Sequence, residues 1–166
     1  MEAQTLIQAL TIQFGYTEFV FNANLSELSE EDGLLQPVPG GNCLNWVAGH
    51  IVGSRGSILE LLGQERPFAP DKYARYERGS DAVVIGEGTV PLAEIMADFL
   101  AVGDGLKIGL AGLTREWLGE KAPFSPGNNP KETMGSLLVG LAFHESYHCG
   151  QLGVLRRMAG VEGAIK

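Results

Sequence analysis

Four stretches of this chain repeat apolar residues at three- and four-residue steps, and that period constrains the fold more than any other feature. In the first, Leu6, Ile7, Leu10, Phe14, Phe21 and Leu25 recur on one face, predicting a helix from about Ala3 to Leu25. The second pattern starts near Asn42, a good capping residue after Gly40-Gly41, and stops near Gly63. The third opens with Thr89 or Val90 ahead of Pro91, which suits a first helical turn. It carries Leu92, Ile95, Met96, Phe99, Leu106, Leu110 and Leu113 to about Leu118, where Gly119 ends it. The fourth runs from about Lys131 to Ala159 and is closed by Gly160. The one β-branched run, Asp81 to Ile85, is too short to argue for a strand. Four amphipathic helices predict an all-α fold, a four-helix bundle with long connections, formed as a single domain over residues 1–166.

The connections are a polar Pro/Gly-rich segment from Ser26 to Gly41, a long one over residues 64–90, and a Pro-rich loop from Ala122 to Pro130. The middle one holds a short helical turn, Asp71 to Glu77, and the sequence Gly86-Glu87-Gly88. Connections of that length are uncommon unless functional, and they allow parallel as well as antiparallel neighbours. Glycine is abundant, with 23 residues, many inside helical segments, such as Gly49, Gly109 and Gly140. Each interior glycine costs about 1 kcal/mol relative to alanine. That expense implies closely approaching helices or room left around a site.

A net charge of -8 argues against a nucleic-acid backbone as partner, which requires clustered Lys and Arg. No segment reaches the roughly 18 apolar residues of a membrane span. The opening residues, Met1-Glu2-Ala3-Gln4-Thr5, carry no basic region, so no signal peptide is expected. Two cysteines, Cys43 and Cys149, make no disulfide framework and read as reduced thiols, so a cytoplasmic location is expected.

The histidines carry the chemistry. His144 and His148 stand four apart in His144-Glu145-Ser146-Tyr147-His148-Cys149-Gly150-Gln151, on one helix face. His50 follows Asn45-Trp46-Val47-Ala48-Gly49 in the second helix, on a stripe with Trp46, Val47, Ser54 and Ser57. Bundle metal sites are built from side chains on facing helices, and three imidazoles would leave coordination positions open for water or substrate. We therefore expect His50, His144 and His148 to hold one divalent metal ion. Gln151, three past His148, is placed to hydrogen-bond a ligand or bound water. Ser54 is a candidate for the pocket wall or for a bond back to its own helix backbone, and Trp46 and Tyr147 are candidates for the pocket wall that read first as core. Glu145, about 100° around the helix from His144, is a candidate base or an inter-helix ion pair. Cys149 reads as a small buried thiol, Cys43 as a helix-start thiol, and Arg156 and Arg157 as complements to the last helix's dipole.

The same residues satisfy H-E-x-x-H, the zinc-peptidase signature with Glu145 as base. Its extended form needs Gly at 151 and His at 154, where this chain has Gln151 and Val154. Glu162 is the sole acidic candidate for a third ligand after His148, and the peptidase reading leaves His50 unexplained.

Asn45-Trp46-Val47-Ala48-Gly49-His50-Ile51 resembles the segment that carries the first metal histidine in DinB-like proteins. The 144–151 segment resembles that family's fourth-helix signature, two histidines four apart followed by Gly-Gln, and Arg156 falls where that helix continues with a basic residue. The resemblance implies a DinB/YfiT-like bundle with a three-histidine site for nickel or zinc, and a homodimer. It implies thiol-dependent transferase or isomerase chemistry on a small molecule with a low-molecular-weight thiol, and the open metal position by itself suits a metal-dependent transferase or hydrolase. A non-catalytic metal-binding or stress-response module is the rival from another class.

Overall fold

A computed structural model describes residues 2–83 and 88–165. The four periodic segments form long helices: α1 (Ala3–Leu25), α3 (Leu44–Leu61), α4 (Leu92–Ala111) and α6 (Met134–Met158). Two short helices, α2 (Glu30–Gly33) and α5 (Arg115–Gly119), and a 3-10 turn at Ala74–Tyr76 lie in the connections. Among the described residues there is no strand, only an isolated antiparallel bridge between Lys121 and Thr133. Residues 81–83 of the β-branched run are irregular; its remainder, with Gly86 and Glu87, lies outside the described residues.

Boundaries follow local hydrogen bonding more closely than apolar period. α3 begins at Leu44 with Cys43 as its cap, one residue past the Asn42 cap expected. It ends in a Schellman motif: Gln64 N–H bonds Leu59 O at 2.9 Å, Gly63 N–H bonds Glu60 O at 3.0 Å, and Gly63 takes φ +69°. α6 begins at Met134 instead of Lys131, because Thr133 and Ser136 close a reciprocal capping box. The third pattern breaks where one helix to Leu118 was expected. Gly112 ends α4, and the Thr114 hydroxyl accepts from Trp117 N–H to start α5 afresh. Pro91 is the N-cap of α4, and the carboxylate of Glu30 on α2 accepts from the Leu92 N–H at 2.8 Å.

Each long helix packs on two others: α1 on α6 and α4, and α3 on α4 and α6. The core has two main apolar halves and a small third cluster of Ala122, Met134 and Leu137. One half holds Ile7, Leu10, Phe14, Ile58, Leu59, Val102, Leu106 and Leu138; the other holds Phe21, Leu25, Val47, Ile51, Ile95, Phe99 and Leu152. Residue numbers rise from the first half to the second along α1 and α6, and fall along α3 and α4. The bundle therefore runs up-down-down-up, with α3 and α4 parallel neighbours. Residues 62–91 must return along a helix of 18 residues, roughly 27 Å, which accounts for their length.

Between the two halves lies a polar layer. Arg55 of α3 is fully buried and Glu145 of α6 almost so. Arg55 Nε donates to Glu145 Oε2 and Nη2 to Oε1, both at 2.7 Å. Nη2 also reaches Phe14 O at 3.1 Å, and Thr17 Oγ1 donates to Glu145 Oε1. The guanidinium carbon stands 3.9 Å from the centre of the Phe99 ring, and Nη1 faces Glu18 Oε2 at 3.7 Å. One ion pair thus touches all four long helices. Removing one partner of such a pair leaves an uncompensated buried charge. Arg55→Ala or Glu145→Ala is expected to lower stability by about 3–5 kcal/mol in urea denaturation, and Arg55→Met with Glu145→Leu by less than either.

Candidate metal centre

His50 on α3 and His144 and His148 on α6 are each half-buried, and their ligating atoms all lie within 4.8 Å of one another. His144 Nε2 stands 3.2 Å from His50 Nε2 and 3.0 Å from His148 Nε2. The outer ring nitrogens decide what this closeness means. His50 Nδ1 lies 2.7 Å from the Tyr76 carbonyl oxygen, and His148 Nδ1 lies 2.6 Å from Gln151 Oε1. Both oxygens only accept, so both Nδ1 atoms carry the proton and both Nε2 atoms present lone pairs. A proton on His144 Nε2 can serve one of those two neighbours and not both. Three converging ring nitrogens that cannot all satisfy one another fit a cation, and the carbonyl–imidazole bonds are those that orient metal-ligating histidines.

Electrostatics favour the ligand form. Burial, then the neighbouring His148 and His50, push His144 down to about 4. Burial lowers His50 against the opposing Tyr76 hydrogen bond. Burial likewise lowers His148, opposed by Gln151 and helped by His50. All three rings are therefore neutral at pH 7.

The surroundings explain how the rings are held. Trp46 stacks on His50 with ring centres 4.9 Å apart, and its Nε1 donates to Ser80 Oγ at 2.9 Å. Tyr76 is locked in turn: its hydroxyl donates to Asn45 Oδ1 at 3.0 Å and accepts from Val90 N–H at 2.8 Å. A Cβ on Gly49 would come within 2.7 Å of the Tyr76 ring, so glycine there permits the close approach. Ser54 lines a cavity with His50. Tyr147 stands edge-on to His148 and is exposed rather than core.

Glu145 does not join the cluster. It turns into the core, where Arg55 takes both its oxygens. Cys149 is buried, and burial with the adjacent Glu145 charge pushes its thiol up to about 12 against the opposing pull of Arg55. Cys43 is wholly buried and makes no capping hydrogen bond. Arg156 corrects an expectation: it complements the end of α1, not its own helix. Its Nη1 donates to Asn24 O at 3.2 Å and its Nε to Glu162 O at 2.7 Å.

Arg55 and Tyr76 escaped the sequence reading. Arg55 had a legible signal, since it interrupts the apolar steps Ile51, Val52, Ile58, Leu59, where a charge requires a buried partner. Tyr76 acts through its backbone carbonyl, which no side-chain pattern reports.

A family model described as the DinB superfamily matches residues 13–152, a span that contains all three histidines. The chain belongs to the DinB superfamily. No curated protein matches it. The crystal structure of a conserved protein from Enterococcus faecalis is similar in fold, with a TM-score of 0.69 and 18% identity, covering 92% of this chain and 95% of that one. The DinB-superfamily bundle thus brings His50 to the α6 pair across more than ninety residues of sequence. Among the described residues no helix is long and apolar enough to cross a membrane.

The histidines' depressed basicity has a measurable sign. Their folded pKa values lie below the ordinary 6.5, so the unfolded chain takes up protons first. Their contribution is present above pH 6.5 and is lost as pH falls toward about 4. In chelator, the melting temperature of the wild type is expected to fall across this window more steeply than that of His144→Gln.

Proposed function

We propose that this DinB-superfamily chain is a divalent-metal enzyme in which His50, His144 and His148 hold one ion, nickel or zinc, through Nε2. The observation that supports it best is the set of three converging ring nitrogens that cannot all satisfy one another, with the outer nitrogens of His50 and His148 fixed by Tyr76 and Gln151. Three protein donors match sites that keep a position open for chemistry; structural sites are usually closed by four. An ion held there supplies Lewis acidity and lowers the pKa of a bound water or thiol.

The chain's own residues then have separate tasks. The Tyr76 carbonyl and Gln151 keep both imidazoles in the ligating tautomer. Trp46 covers one face of His50 and excludes water from it. We assign Glu145 a positioning role, because its carboxylate holds Arg55 and so aligns α6 with α3. Transfer of a group to or from a small molecule, with a low-molecular-weight thiol as one substrate, fits this arrangement better than peptide cleavage, and hydrolysis of a small ester or amide is the second reading.

Elemental analysis tests the site. Wild type loaded with nickel or zinc is expected to retain about one equivalent after desalting, and His50→Ala and His148→Ala much less. An unmetallated wild type, or variants that keep a full equivalent, would contradict the proposal. Thiol conjugation to small electrophiles should disappear on chelation and return on reloading, while cleavage of denatured casein would favour the peptidase.

We also propose a homodimer. Ile12, Tyr16 and Phe19 follow one another at four- and three-residue steps on α1 and are all more than half exposed. A stripe without charge, on a chain of net charge -8, can meet its own copy without repulsion. Light scattering should give a dimer for wild type and a monomer for Tyr16→Asp with Phe19→Asp.

A further inference from the structure

Two cavities adjoin the histidines. One, about 480 Å³, is lined by His50, Ser54, Tyr73, Arg66, Glu77 and Arg78. The other, about 670 Å³, runs from His144 along Leu137, Leu141, Phe143, Tyr147 and Pro126. Arg78 lines both, and the 3.2 Å contact between His50 and His144 joins their inner edges.

The larger cavity has mostly carbon walls and two charges. Its carboxylate, Glu132, already accepts from Ser125 and Ser136. Its cation, Arg78, makes no hydrogen bond or ion pair with any described residue, whereas Arg66 next door is bound to Glu60 at 2.7 Å. Acidic residues outnumber basic ones 20 to 12 in this chain, so an arginine with no carboxylate partner among the described residues, beside a cavity, is conspicuous. The walls are also open to a guest. Phe143 is 71% exposed and Tyr147 59% exposed, and a Cβ placed on Gly140, three residues before Phe143 on α6, would meet nothing within 4 Å. Aromatic faces left to water beside a guanidinium that no described residue pairs suit a molecule with an apolar body and an anionic end.

We infer that the larger cavity binds an organic carboxylate, its acid group paired with Arg78 and its aliphatic or aromatic body on Leu141, Phe143 and Tyr147. This names a substrate class for the proposed metal enzyme and so rests on that reading for its purpose. The Arg78 pairing itself requires no ion. The arrangement places the guest's body against His144, where the chemistry would occur.

Calorimetry with 4-phenylbutyrate and its uncharged amide, 4-phenylbutyramide, tests this on both chelated and nickel-loaded protein. Chelated wild type is expected to bind the acid at least tenfold more tightly than the amide. Arg78→Ala should lose that preference and bind both at the amide's level, and Arg78→Lys should recover part of it. Gly140→Leu, which fills the cavity from an open position, should abolish binding of both. Nickel content of the Arg78 variants should equal that of wild type. Equal affinity for acid and amide, an acid preference that survives Arg78→Ala, or no binding of either would overturn the inference. If the Arg78-dependent preference appears in a protein that holds no nickel, the carboxylate site stands and the metal reading falls. If nickel binds and the preference is missing, the reverse holds.

Discussion

The bidentate contact between Arg55 and Glu145 sets the position of everything else in this bundle. Two charges buried among apolar side chains tolerate few arrangements, because each hydrogen bond lost leaves a desolvated group behind. Here the guanidinium reaches a carboxylate on α6, a carbonyl on α1 and an aromatic face on α4 at once. Sliding α3 along α6 by one turn, about 5.4 Å, would break all of these contacts. Apolar packing alone is less strict, since Leu, Ile and Val layers can be exchanged at modest cost. The pair thus acts as a register mark more than as a source of stability.

That register mark lies close to the histidines in sequence and points away from them. Glu145 follows His144 by one residue and is turned about 100° around α6, so the carboxylate enters the core while the imidazole faces the groove. Arg55 follows His50 by five residues, which again puts the two on different faces. The ion pair is therefore hidden behind the imidazoles it aligns. The same strings, His144-Glu145 on α6 and His50 to Arg55 on α3, encode both the cluster and its frame.

Much of the fold was legible because apolar period survives local noise. The histidine cluster was legible too, since residues four apart share a face and a third imidazole on a core helix has few other uses. Boundaries failed where hydrogen bonds overrule period. Leu113 keeps the step of α4, yet Gly112 and the Thr114 cap end the helix before it. Arg156 sits at the end of its own helix, where dipole arguments apply, but it reaches carbonyls of α1 that only the fold brings near. The Tyr76 carbonyl was out of reach for a different reason: a main-chain acceptor is the same for every residue type, so its role exists only in the geometry.

Topology links these pieces. Because α3 and α4 are parallel, residues 62–91 must travel back along the bundle before α4 can begin. A return path of that length passes His50, and it is there that the chain supplies the Tyr76 carbonyl, the Ser80 hydroxyl that holds Trp46, and Arg78. An antiparallel α3–α4 pair would need only a short turn, and none of these groups would be near the cluster. The long connection therefore follows from helix direction, and the surroundings of the histidines follow from the connection. This also separates the two uses of an H-E-x-x-H string. A peptidase needs its glutamate turned toward the metal, whereas the up-down-down-up arrangement puts a buried arginine opposite Glu145 and leaves the third imidazole to come from α3.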